Sequence, residues 1–337
     1  MGQYLSSKLT VLYTVLIIMV VYIHSYYIEA EEYPVVLFVQ NFIGPGICRI
    51  ANCLFFCISG YLFARNINSI NDVLNKQKRR FKTLILPYVL WNLIFVLWYV
   101  ALENIPIISD FCNSSGTLEK YLNQPFIKSL SDLFIAPAAF QLWFVRDLLV
   151  MLLVSPVIWW ISHKCWIAAL IMAFGSIALH FWVIYFWLGI IIATQKWDVE
   201  NYPHPVWGIL IGGIVFLGYA IYLALGHKVG NLIEVPINLI GIYLIWCGYD
   251  LIVKGKSIAD RGLWKYVCGY SFFIYCFHEP AFNIIKKLAL FIGGTSSPIL
   301  LLAYLINPLI MIAASICVAK FLQHISPRTY KLLTGGR

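Results

Sequence analysis

The sequence predicts an all-α protein, a polytopic transmembrane helical bundle of about ten spans with both termini in the cytoplasm. Of its 337 residues, 61% are hydrophobic and 12% are charged, whereas soluble domains average about 45–50% apolar and about 25% charged residues. One soluble core cannot hide this apolar excess, so the lipid bilayer must solvate much of the chain. We expect a single integral membrane domain over residues 1–337, multi-pass in the cytoplasmic membrane of a bacterial cell.

Ten apolar stretches define the predicted spans, since a span needs about 20 mostly apolar residues. They cover residues 9–28, 46–64, 83–102, 141–161, 165–181, 182–195, 206–225, 232–253, 264–283 and 297–319. The fifth and sixth nearly touch, and the sixth is short. The first is too long for the apolar part of a signal peptide, and no small-residue cleavage site follows it. We therefore expect it to be retained as a span.

The positive charges indicate the orientation, because cytoplasmic loops of membrane proteins are rich in lysine and arginine. With the N-terminus inside, 17 of the 24 basic residues fall on the inner side. They are Lys8, Arg65, Lys76, Lys78, Arg79, Arg80, Lys82, Lys164, Lys196, Lys254, Lys256, Arg261, Lys265, Lys320, Arg328, Lys331 and Arg337. Acids favour the other side, as Glu29, Glu31, Glu32, Glu103, Asp110 and Glu119 show. This topology explains the net charge of +9 without a nucleic-acid partner.

The cysteines indicate neither a disulfide framework nor a metal site. The chain has nine of them, but most lie inside apolar stretches and no Cys-x-x-Cys pair occurs. Zinc sites and disulfide scaffolds have characteristic cysteine spacings that this sequence lacks. We expect no bound metal.

Six ionisable side chains fall in one predicted layer near the outer face. They are His24 in the first span, Arg49 in the second, Arg146 and Asp147 in the fourth, and His278 and Glu279 in the ninth. A charge inside the bilayer costs about 2.5–3.5 kcal/mol on insertion scales, so each is a functional candidate. Histidines and acids can move and orient protons, and arginines can stabilise anions. Trp143, one turn before Arg146, belongs to the same layer.

Each of these residues also has a purely structural interpretation. His24 can sit at the headgroup interface, and Arg49 can extend its charge to that interface. Arg146 and Asp147 point about 100° apart on a helix and need not pair. The His-Glu-Pro sequence ending at Pro280 can be a simple kink. Together, however, the six residues favour a chemical site within the membrane.

The densest basic run is Lys76-Gln-Lys-Arg-Arg-Phe-Lys82, on the predicted inner face. Such a run can simply record the topology or attract anionic lipid, at about 1 kcal/mol per charge. It can also bind the phosphates of a cytosolic nucleotide or of coenzyme A. The residues themselves leave both interpretations open.

Five segments, in chain order, carry a family resemblance: Leu12–His24, Phe55–Leu62, Arg79–Tyr88, Leu142–Leu148 and Ser271–His278. They resemble, in the same order, the motifs of integral-membrane acyltransferase family 3. These are a first span that ends in a histidine, an FF-x-x-SG-[FY]-L pattern in the second span, and a basic, proline-containing start of the third span. A WF pair in the fourth span and a late IY-x-x-H segment complete the set. Each motif is weakly specific in a chain rich in phenylalanine and leucine. Five in the right order with the right topology form a strong signal.

The resemblance implies transfer of an acetyl group from cytosolic acetyl-CoA to a hydroxyl of a carbohydrate or lipid-linked sugar acceptor at the outer face. His24 would be the general base, with Glu279 or Asp147 orienting its ring. The oxyanion would be stabilised by Arg49, Arg146 or His278. The phosphates of the donor would lie on Arg79, Arg80 and Lys82. Ser59 is a weaker candidate, since its Ser-Gly pair also suits close helix packing.

Two departures from the family pattern concern basic residues. Tyr13 stands where the family commonly has an arginine, eleven residues before the histidine, and Thr83 completes a third-span pattern that often reads R-x-x-R. Arg79, Lys82 and Lys8 are the candidates to supply the missing charge.

A second functional class stays open at this point, a transporter or flippase that carries a polar small molecule along the intramembrane charges. The predicted interruption near Pro280 and the short sixth span are also transporter features. No pseudo-repeat relates the two halves, which argues against this class. Transfer or hydrolysis of acetyl-CoA by the purified protein would separate the two.

Overall fold

The computed structural model describes residues 2–104, 123–178, 180–200, 205–253 and 255–336, and all regular structure in them is helical. The α-helices are α1 (Gln3–Ile23), α2 (Pro34–Asn41), α3 (Ile50–Ala64), α4 (Ile70–Asn104), α5 (Phe126–Ile135), α6 (Trp143–Lys164), α7 (Trp166–Gly175), α8 (Val183–Thr194), α9 (Val206–Ala224), α10 (Asn231–Val253), α11 (Gly262–Gly293), α12 (Ser297–Ile325) and α13 (Pro327–Thr334). Four charges used to orient the chain, Asp110, Glu119, Lys254 and Arg337, lie outside the described residues.

The lengths and exposed surfaces of the helices confirm a multi-pass membrane protein. Among the described residues, seven helical stretches are long and apolar enough to cross a bilayer: Gln3–Ile23, Pro34–Ala64, Ile70–Asn104, Phe140–Lys164, Val206–Ala224, Asn231–Val253 and Ser297–Ile325. On α9, the side chains of Ile211 and Ile214 are 60% and 72% exposed, and a bilayer would solvate them. The predicted count of ten spans stays a prediction, because α7 and α8 have only 10 and 12 residues and α11 is not among the seven.

Three helices differ in extent from the predicted spans. The first span was expected at 9–28, but α1 ends at Ile23, so His24 terminates the helix instead of lying inside it. The second was expected at 46–64, but its helical stretch starts at Pro34, a residue favoured in a first helical turn. The third was expected to start at Thr83, but α4 starts at Ile70. The basic run is therefore helical.

A π-helical segment, Phe42–Cys48, joins α2 to α3 and is called the π segment below. Pro45 lies inside it and has no N–H for an ordinary helical hydrogen bond. The ladder widens instead, and the Arg49 N–H donates to the Gly44 carbonyl five residues back, at 3.1 Å. Such segments are frequent at functional sites.

The helices form two compact units, which are described separately. The first comprises Met1–Gln77 and Leu153–Ser271, and the second comprises Lys78–Leu152 and Phe272–Arg337.

The first unit is built on a close crossing of α3 and α8. A Cβ atom placed on Gly60 would lie 2.0 Å from the Phe186 carbonyl oxygen, and one on Gly189 would lie 2.0 Å from that of Cys57. Only glycine permits this approach. The small-residue packing considered for the Ser59-Gly60 pair is therefore present at Gly60.

The second unit has an aromatic core around Trp91 of α4, which meets the rings of Phe95, Phe273 and Phe277 edge-on at 5.4–6.5 Å. These separations suit edge-to-face aromatic packing. The core holds α4 against α11.

Candidate functional site

In the first unit, His24 ends α1 with helical dihedral angles, and its N–H donates to the Val20 carbonyl at 3.3 Å. Its side chain is half-buried. The chain after it is fixed by Gln40 of α2, whose Oε1 accepts a 2.8 Å hydrogen bond from the Tyr27 N–H. The imidazole is thus carried at a helix end by an ordered backbone, where it can meet both protein and solvent.

Arg49 follows the π segment, which packs against α1 and α9. It was expected in the first turn or two of its span, but it lies in the middle of the stretch Pro34–Ala64. Its Nε lies 3.2 Å from Oε1 of Glu234, in the first turn of α10, and the two side chains are 42% and 4% exposed. A buried carboxylate therefore anchors an arginine whose charged head is still accessible.

Glu234 was not predicted as a site residue, although the sequence contained a signal. It lies inside the predicted span 232–253, where an acid is costly without a partner. One turn later, the buried Asn238 donates a 3.0 Å hydrogen bond to the Tyr185 hydroxyl. This face of α10 therefore presents a second buried polar group besides the carboxylate.

In the second unit, Arg146 and Asp147 do pair, although neighbours on a helix point apart. The Arg146 Nε and Nη2 lie 2.8 and 2.7 Å from Oδ1 of Asp147, which is 5% exposed. The Arg146 Nη1 also donates to the Ile135 carbonyl at 2.6 Å. This arginine, like Arg49, is anchored by a buried carboxylate.

The start of α6 is tied to α11 by two hydrogen bonds of Gln141. Its side-chain amide donates to the Cys276 carbonyl at 2.6 Å, and its own carbonyl accepts a hydrogen bond from the Tyr275 hydroxyl. These bonds hold the start of α6, where the half-buried Trp143 lies, against α11, the helix that carries His278 and Glu279.

His278 is completely buried, and its Nδ1 lies 2.8 Å from the Tyr275 carbonyl. A carbonyl only accepts, so Nδ1 carries the proton and Nε2 of the neutral ring is an acceptor. In this tautomer His278 could stabilise an oxyanion only after protonation. Glu279 is half-buried on a helix that continues through Pro280. The expected interruption there is absent.

The basic residues Arg79, Arg80 and Lys82 lie on α4 of the second unit, where Arg79 and Lys82 are exposed and Arg80 is half-buried. A helix places residues three and four apart on one side, so Arg79 and Lys82 are neighbours. This geometry suits an anion such as a phosphate.

Lys8, a candidate for the charge missing from the family pattern, is committed elsewhere. Its side chain is 1% exposed, and its Nζ lies 2.6 Å from Asp250 Oδ2 and 3.7 Å from the ring centre of Trp246. The Tyr4 hydroxyl donates to the other carboxylate oxygen. Lys8 is therefore a buried structural cation.

Tyr13, at the position of the family arginine, packs on Phe55 with ring centres 5.2 Å apart.

Comparison with known proteins gives two similarities. The sequence model of the acyltransferase 3 family, described as an acyltransferase domain, matches residues 8–320. The chain is 23% identical over 365 aligned residues to the succinoglycan biosynthesis protein ExoH of Rhizobium meliloti (strain 1021), with 100% of this chain and 94% of that protein covered. No solved structure matches the chain significantly.

Proposed function

Since the chain belongs to the acyltransferase 3 family, we propose that it transfers an acetyl group from cytosolic acetyl-CoA to a hydroxyl of a surface glycan or its lipid-linked precursor. The acceptor class is supported by the similarity to a protein named for succinoglycan biosynthesis. The helical membrane architecture suits a donor and an acceptor that approach from opposite sides of a bilayer.

The proposed topology has ten spans, both termini in the cytoplasm and the reaction near the outer face of the cytoplasmic membrane. The distribution of lysine and arginine supports this orientation. In it, Arg79 and Arg80 face the cytosol, where acetyl-CoA is made, and His24 lies at the far end of α1.

The observation that carries the catalytic proposal lies within the first unit. The helix that ends at His24 packs against the π segment, and Arg49 follows that segment directly with its head accessible. Acyl transfer to a hydroxyl needs a proton acceptor and a cation that stabilises the oxyanion. His24 and Arg49 supply these two groups, each at the end of one of the two packed segments.

In the proposed reaction, His24 removes the proton from the acceptor hydroxyl while its oxygen attacks the thioester carbonyl. Arg49, held by Glu234, stabilises the negative charge that develops on the carbonyl oxygen. The intermediate collapses as the carbon–sulfur bond breaks, and the protonated imidazole returns its proton to the departing thiolate. The ester and free coenzyme A are the products.

The candidate residues of the second unit have different proposed roles. Arg146 is a second candidate for anion stabilisation, and Asp147 holds it, which makes Asp147 a poor partner for an imidazole. Glu279 is kept as a proposed acid–base group on α11. His278 is assigned to fixing α11 locally, because its Nδ1 is bound to the backbone. Trp143 is proposed to shape this part of the site.

The direct experiment is acetyl transfer by the purified protein in lipid nanodiscs, with radiolabelled acetyl-CoA and a glycan acceptor. Release of free thiol together with label in the acceptor supports the proposal. Uptake of a polar solute into sealed vesicles without thioester cleavage would instead support a transporter. Mass spectrometry of surface glycans from cells with and without the gene identifies the acceptor.

A further inference from the structure

The C-terminal helix α13 lies beyond the residues that the acyltransferase family model matches, which end at 320, yet it is packed firmly in the second unit. The Trp91 Nε1 donates to the Leu333 carbonyl at 3.0 Å, and the rings of Tyr330 and Phe273 stack with centres 6.0 Å apart. Tyr330, Leu333 and Thr334 are buried. The position of α13 is therefore fixed by packing.

The turn that follows α13 meets α4 just beyond the basic run. Gly335 has a left-handed φ of 65°, and a Cβ atom on it would lie 2.3 Å from the Thr83 carbonyl oxygen and 3.3 Å from Pro87 Cγ. A side chain here would be excluded twice, by conformation and by space. Thr83 directly follows Lys82 and lies one helical turn beyond Arg79 and Arg80, so the contact puts the turn after α13 about one helical turn along α4 from these cations.

Two basic residues of α13 occupy different sides of the helix. At about 100° per residue, Lys331 lies about 100° from the buried Tyr330 and flanks the packed face, whereas Arg328 lies about 160° from it and points away. Both side chains are exposed. The Gly336 N–H donates to the Lys331 carbonyl at 2.8 Å, which ties the Lys331 backbone to the turn that touches α4.

We propose that Lys331 completes an anion site with Arg79 and Arg80 and binds phosphate groups of acetyl-CoA. The inference rests on the proposed function, because it takes its ligand from there. Coenzyme A carries a diphosphate and a separate 3′-phosphate, so cations on two elements can hold both groups. The lysine ammonium is a compact charge on a flexible stem, which suits a phosphate reached from a neighbouring helix.

Anionic lipid headgroups have the same phosphate chemistry and would act differently. A lipid surface attracts exposed basic residues by their charge, whatever side of a helix they occupy. Arg328 and Lys331 would then contribute equally. A specific site requires that Lys331 contribute and Arg328 not.

The test is the dissociation constant for acetyl-CoA of the full chain in nanodiscs of neutral lipid, compared with discs of anionic lipid. We expect Lys331→Gln to raise this constant about 10-fold, the loss of one hydrogen bond between charged groups, and Lys331→Arg to restore most of it. The matched control Arg328→Gln should stay within about twofold. Equal effects of Lys331→Gln and Arg328→Gln in neutral discs, or an effect of Lys331→Gln confined to anionic discs, overturn the inference. Absence of saturable binding by the unmodified protein refutes the proposed donor itself, which is a distinct result.

Discussion

Arg49 and Glu234 form an ion pair of unequal exposure, in which the carboxylate is 4% exposed and the guanidinium 42%. The two residues are far apart in sequence and meet because the π segment packs against α9, the helix that precedes α10 and itself packs against it. The ion pair joins the Nε side of the guanidinium to Glu234, and 42% of the arginine side chain stays exposed. The pair therefore holds a cation in place while keeping it able to meet a ligand.

This asymmetry predicts that the two single substitutions affect stability differently. Arg49→Ala strands a buried carboxylate and should lower the stability by about 1–3 kcal/mol, measured by thermal unfolding in detergent. Glu234→Gln leaves an arginine that water can solvate, so its stability should change little while turnover falls about 10-fold. Arg49→Ala combined with Glu234→Gln should regain stability and remain inactive. Recovery of activity in the double variant would show that the pair is only structural.

The close crossing of α3 and α8 predicts that an added methyl group at its centre is not tolerated. Gly60→Ala should abolish folded protein, because the new Cβ would meet the Phe186 carbonyl at 2.0 Å. Size-exclusion profiles and thermal unfolding measure this. Gly218→Ala is the control, since a Cβ atom added there would meet no atom of the described residues within 4 Å outside the local helix backbone, and alanine favours a helix. Normal yield and stability of Gly60→Ala would contradict the described crossing.

Hydropathy predicted the positions of most long helices well, because the length of an apolar stretch can be read from consecutive residues without knowing what they pack against. The start of α4 was missed because a basic run resembles a loop. The sequence did hold the signal, a capping box in which the Ser69 N–H donates to Asp72 Oδ2 at 3.0 Å and the Asp72 N–H to Ser69 Oγ at 3.2 Å.

Ion pairs between distant residues were the part of the site that sequence reasoning could not supply. Lys8 and Asp250 are 242 positions apart, and no local pattern specifies such a partner. Lys8 was accordingly named as a candidate for the basic charge missing from the family pattern. Its burial against Asp250 excludes that role. Lys8 of α1 can meet Asp250 only because the fold brings α10, a helix late in the chain, next to it.

The orientation of the chain predicts where reagents can reach it. A reporter fused after Arg337 should be cytoplasmic, and a cysteine introduced at Ser115, outside the described residues, should react with an impermeant reagent added from outside. Both follow from the bias of basic residues. Protection of the whole segment 103–134 in intact cells would reverse the assignment.

The exposed cations of α4 predict a binding defect rather than a chemical one. Charge reversal at Arg79 and Arg80 should raise the KM for acetyl-CoA more than it lowers kcat, because phosphate contacts are equal in the ground state and the transition state. The matched control is Lys164→Glu, an exposed cation assigned to the same face. An unchanged KM in a well-folded Arg79/Arg80 variant would remove these residues from the donor site.

The central claim is that His24 is the general base, and comparing His24→Gln with the unmodified protein tests it most directly. Glutamine keeps hydrogen-bonding ability but cannot accept the proton, so acetyl transfer should fall about 10²–10⁴-fold while binding of acetyl-CoA stays nearly intact. The measurement is single-turnover transfer from radiolabelled acetyl-CoA in nanodiscs, with donor affinity measured on the same preparation. A His24→Gln protein that transfers within a few-fold of the unmodified rate would contradict the account.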